Sequence, residues 1–124
     1  MELDGKNGVS TDIEINEYNT RFWADGNCMD SPEAPIRIKD GQRLRVHGYD
    51  GIFNPYADIE QVRGKVCLIQ YVFDGKRYLA VKEIVGIDEL DGALRLAYYY
   101  PKKTYVKVNI DAIEKIYIVD GVEE

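Results

Sequence analysis

The chain has 124 residues, 45% hydrophobic and 31% charged, which is the composition of one ordinary globular domain. Its 16 basic and 22 acidic residues leave a net charge of −6, so direct nucleic-acid binding through clustered Lys and Arg is not expected. No apolar run approaches the ~18 residues of a membrane span, and Met-Glu-Leu-Asp-Gly is no signal peptide, so a cytoplasmic protein without membrane association is expected.

Residues 1–19 are expected to form a polar N-terminal arm, and 20–124 the domain. Asp12–Ile15, Thr20–Ala24 and Gln42–His47 have the alternation of strands. The stretch 48–63 is irregular. Within it Asn54 as cap and Pro55 at the first helical position predict a short helix over Tyr56–Val62. The clearest hairpin is Lys65–Phe73, a turn at Asp74-Gly75, then Lys76–Val85. Strand alternation places Cys67, Ile69 and Tyr71 on one face of its first strand. On its second strand Tyr78, Ala80, Lys82 and Ile84 share a face, which puts Lys82 in an otherwise apolar row. A second hairpin runs Ile84–Glu89, Asp91-Gly92, Ala93–Tyr100, ended by Pro101. Tyr105–Ile110 is a further strand, Asp111–Glu114 a helical turn with capping-box spacing, and Lys115–Val119 a closing strand. Dense Asp-Gly pairs, ten tyrosines and no helical stripe of three turns make the domain mainly β.

The chemistry-bearing residues are few. Cys28 and Cys67 form no disulfide framework, and His47 is the single histidine. This set has no zinc-ligand spacing, so neither a metal nor another cofactor is expected. Cys28 is either a reactive thiol or an inert buried one. Lys82 is either a functional amine or an edge-strand charge. His47 is assigned to the surface, and Tyr98-Tyr99-Tyr100 to alternating core and surface rather than to base stacking.

Two boxes stand out together. Gly26-Asn27-Cys28-Met29 is followed by Pro32 and by Asp40-Gly41-Gln42. Gly64-Lys65-Val66-Cys67-Leu68 leads through a hairpin to Ala80-Val81-Lys82-Glu83-Ile84. This order resembles the Ser/Lys peptidase family of LexA, UmuD and phage repressor C-terminal domains, with signal peptidases more distant. The family's first box is Gly-Asp-Ser-Met, then Pro, then Asp-Gly-Asp, and its second is a strand pair ending in Val-Lys. Leu94–Pro101 and Asp111–Val122 resemble its later segments, so the likeness covers about residues 20–122.

The resemblance implies strongly bent antiparallel sheets around a barrel-like core. It places Cys28 at the nucleophile and Lys82 at the general base, a role that needs a neutral amine in apolar surroundings. It also implies a homodimer, for which the β-branched strand Lys115–Val119 offers an edge to cover. Cys28 replaces the family's serine, Asn27 its acidic residue and Gln42 its second aspartate. No Ala-Gly or Cys-Gly pair precedes Cys28, so self-cleavage is not expected. Three functional readings follow. One is a catalytically altered regulatory or dimerisation module of a phage- or stress-related repressor system. Another is an active Cys/Lys peptidase acting on itself or on a protein partner. The last is an unrelated small β-barrel binding module.

Overall fold

The computed structural model describes residues 2, 3, 5, 9, 10, 21–48 and 54–123. The expected strand Asp12–Ile15 lies outside them. The described strands are β1 (Val9–Ser10), β2 (Arg21–Trp23), β3 (Arg43–Gly48), β4 (Val66–Phe73), β5 (Lys76–Asp88), β6 (Ala93–Tyr98), β7 (Thr104–Asn109) and β8 (Ile113–Glu123). One helix, α1 (Pro55–Val62), precedes β4. The chain is mainly β, and every pairing between the described strands is antiparallel.

Local chemistry accounts for the turns. Asp74 and Gly75 both have positive φ, 51° and 74°, which a two-residue hairpin turn requires and which Gly adopts without a Cβ penalty. The register that follows runs unbroken from Val66↔Glu83 to Phe73↔Lys76. The Asn54 side chain accepts from the Tyr56 N–H and caps α1, with Pro55 at its start. Such a cap contributes about 1 kcal/mol. The expected turn at Asp111–Glu114 begins earlier, as a 3-10 turn over Ile110–Ala112. Its cap is Asn109, which accepts from the Asp111 N–H.

The sheet runs in the order β2-β3-β8-β4-β5-β6-β7, with β1 added on β5. It does not close: β2 and β7 end the path and are not paired with each other. The expected barrel-like core is therefore replaced by one open, bent sheet. Register shifts at Arg45/Val46, Gln70/Tyr71 and Ile84/Gly86 supply the bends. The closing strand is longer than expected and lies between β3 and β4 in the sheet, with Tyr117 and Ile118 paired on both sides. It is an interior strand of the sheet order rather than its end, so the argument for a homodimer from an edge to cover does not apply to it.

Both faces of the sheet are covered, which explains the continuous burial of β4 from Val66 to Tyr71. One core gathers Cys67, Ile69, Tyr71, Ala80, Ile84, Leu94, Leu96 and Val106 under α1 residues Ile59 and Val62. The other gathers Met29, Ile38, Leu44, Val66, Ala97, Tyr99 and Val119. From the expected arm, Leu3 is buried in the first core and its N–H donates to the Lys107 carbonyl.

A charged cluster ties β4, β5 and β8 together at their surface. Arg77 makes a two-point contact with Glu114, and Gln70 Nε2 donates to the same carboxylate at 3.2 Å. The Arg77 guanidinium, first of these, holds the Glu114 carboxyl below its ordinary range. A carboxylate lowered in the folded state stabilises it above the unfolded-state pKa and loses that contribution as pH falls through the folded one. Glu114→Gln is therefore expected to lower stability at neutral pH by less than about 1 kcal/mol, since the pair is partly solvated. Denaturant midpoints against pH should show wild type and variant converging below the carboxylate range. A constant gap down to strongly acidic pH would contradict this account.

Candidate active site

The Cys28 segment is a loop pinned from several directions. Gly26, with φ 98°, donates its N–H to Asp40 Oδ1 at 2.8 Å, joining the loop to the Asp40-Gly41 turn. Ala24 N–H donates to the Gln42 carbonyl, and Gly41 N–H to the Ala24 carbonyl. Met29, 1% exposed, plugs the loop into the second core. The Ile38 N–H donates to the Met29 carbonyl. The Cys28 carbonyl accepts from the N–H groups of both Tyr99 (2.7 Å) and Tyr100 (3.0 Å), beyond the end of β6. A side chain on a loop held this way has a defined position.

Lys82 reaches the same point from β5. Its register partner on β4 is Cys67, and alternation puts it in the row of Ala80 and Ile84. It is 2% exposed, so the reading as an edge-strand surface charge does not hold. β1 meets β5 at Tyr78 and Leu79, and β6 joins it from Glu83 onward. The Lys82 amine turns to the segment between them. There Nζ lies 3.3 Å from the Val81 carbonyl oxygen and 3.4 Å from Cys28 Sγ. The Cys28 thiol is half-buried and donates to that same carbonyl at 3.4 Å. The Tyr98 ring, centroid 5.3 Å from Nζ, adds a cation–π contact. Two residues 54 positions apart are thus in contact, one thiol and one amine, with a main-chain carbonyl shared between them.

No family model, curated protein or solved structure matches the chain.

The other two candidates lie elsewhere. Cys67 is fully buried on β4, and burial pushes its thiol up to about 12, which suits an inert core residue. His47 is exposed on β3 and its Nδ1 lies 2.8 Å from Asp120 Oδ2, across the bulged pairing with β8. β3 is separated from β5 by β8 and β4.

The site also contains groups that sequence reasoning missed. Tyr99 is 7% exposed, its hydroxyl donates to Glu83, and Lys103 Nζ lies over its ring. Burial first, then the Glu83 carboxylate, pushes the Tyr99 phenol up from its ordinary range. Tyr99 therefore clamps the Cys28 carbonyl by its backbone and Glu83, the neighbour of Lys82, by its side chain. The Leu94–Pro101 likeness marked this segment, but nothing in its residues announced the clamp.

Chemically, a thiol beside an amine can pass it a proton and become a nucleophile. Among the described residues no helix is long and apolar enough to cross a membrane.

Proposed function

We propose that this is a LexA/UmuD-like peptidase-fold domain in which Cys28 is the nucleophile and Lys82 the general base for hydrolysis of a peptide bond. The observation that carries the reading is the 3.4 Å contact between Cys28 Sγ and a lysine that is 2% exposed. Burying an amine is costly without a return, and a merely structural lysine would serve better at the surface. Lys82 Nζ takes the thiol proton as sulfur attacks the scissile carbonyl carbon. The Cys28 N–H donates to the developing oxyanion. Lys82 then gives its proton to the departing amine, leaving a thioester. Water, losing a proton to Lys82, hydrolyses that thioester and restores the thiol.

The test is digestion of a defined mixture of unstructured peptides by the full chain, read by mass spectrometry. Discrete cleavage that is lost in Cys28→Ala is the expected result. The chain's own mass is expected to stay unchanged over the same incubation at alkaline pH. Intact peptides, together with Cys28 that iodoacetamide alkylates no faster than an ordinary exposed thiol, would overturn the enzymatic reading. That outcome would favour the regulatory module, for which the homodimer implied by the resemblance is checked by sedimentation.

A further inference from the structure

We propose that Cys28 and Lys82 form a reversible covalent nitrogen–sulfur cross-link, a sulfenamide, when the protein meets hydrogen peroxide. The proposal needs the contact between the two side chains but no peptide hydrolysis, so it stands apart from the preceding reading. Three observations carry it. Cys28 is half-buried rather than sealed, so a small oxidant can reach Sγ. Lys82 Nζ, 3.4 Å away, is the amine already in contact with that sulfur. Lys82 is 2% exposed and its register partner Cys67 is fully buried, so the amine sits beside sulfur with little water to compete.

The chemistry balances in two steps. The Cys28 thiolate attacks one peroxide oxygen and the O–O bond breaks. Hydroxide leaves, takes up a proton and becomes water. Sulfur is oxidised by two electrons to the sulfenic acid, and peroxide is reduced. A sulfenic sulfur is electrophilic and is trapped by the nearest nucleophile. The Lys82 Nζ lone pair attacks it, the S–O bond breaks as the N–S bond forms, and the hydroxyl departs with an amine proton as a second water. An added dithiol reverses the link by attack on sulfur. It returns the amine and the thiol and is itself oxidised to a disulfide. The cross-link consumes both groups of the dyad at once, and it spares Cys28 from the irreversible sulfinic and sulfonic acids.

The experiment treats the full chain with a small excess of hydrogen peroxide and records the intact mass before and after dithiothreitol. The expected product is lighter by two hydrogens, insensitive to iodoacetamide at Cys28, and restored by dithiothreitol. Peptide mapping should join the segments that contain Cys28 and Lys82. A Cys28–Cys67 disulfide has the same mass, so the treatment is repeated on Cys67→Ala, where the loss of two hydrogens should persist. Lys82→Leu should instead gain one oxygen and then a second on Cys28, placed by peptide mapping. If peptide mapping places added oxygen on Cys28 of the wild type, or if the loss of two hydrogens disappears with Cys67→Ala, the cross-link is wrong. Peptide hydrolysis by untreated protein is scored separately, so failure of either reading leaves the other judged on its own result.

Discussion

Lys82→Met is expected to abolish the chemistry of the site while leaving the fold about as stable as before. Methionine fills nearly the same volume, suits the apolar row of Ala80 and Ile84, and has no amine to bury. Replacing a hydrogen-bonded buried group by an apolar one of the same shape can be nearly neutral, and Cys28 Sγ keeps the Val81 carbonyl as its partner. The amine's contacts with Cys28 Sγ and the Val81 carbonyl are lost at the same time. General-base catalysis contributes about 10²–10⁴ in rate, so hydrolysis should fall by at least that lower figure. Thermal unfolding and the rate of Cys28 alkylation by iodoacetamide, measured on the same preparation, check both halves. A variant that unfolds more easily and keeps its thiol reactivity would make Lys82 a structural residue.

Leu96→Ala is expected to cost about 2–5 kcal/mol, the range for truncating a fully buried leucine. Leu96 is 0% exposed and is paired with Ile84 on β5 and Val106 on β7, also buried. The three form one apolar row across neighbouring strands, and no backbone shift of β6 could refill the cavity without breaking pairing on both sides. Against a total stability of about 5–15 kcal/mol, such a loss is large. Urea unfolding followed by circular dichroism should show a lower midpoint with an unchanged slope. A loss below about 1 kcal/mol would mean that this core collapses around the gap more readily than its two-sided burial implies.

How much of this was legible in the sequence depends on range. The hairpin about Asp74-Gly75 and the cap at Asn54 follow from a few adjacent residues, and the structure has both. The alternation that set Lys82 in an apolar row is likewise local, and it directed attention to a lysine that is in fact buried. The meeting of Cys28 with Lys82 was suggested only by the order of two boxes, because no periodicity reports on residues 54 positions apart. Pairings between distant strands were less accessible still. Lys115–Val119 looks the same whether it ends a sheet or fills its middle, since β-branched residues suit either place. The Val81 carbonyl carries no side-chain signal at all, and the open sheet depends on where three bulges fall.

The position of β8 bears on how the domain comes into being during synthesis. The hairpins from β4 to β7 join neighbours in the sequence and can assemble as soon as they leave the ribosome. The β2–β3 ribbon is synthesised earlier but has no strand partner in the sheet until Ile113–Glu123 emerges and fills the gap between β3 and β4. Among the described strands, the ribbon joins the rest of the sheet only through the last one. A ribosome-bound chain stalled before residue 113 should therefore protect its β4–β7 meander from protease while the first half stays cleavable. Until then the loop that carries Cys28 is held by its contacts with Val81, Tyr99 and Tyr100, so the proposed dyad would be anchored on both sides only when the last strand docks.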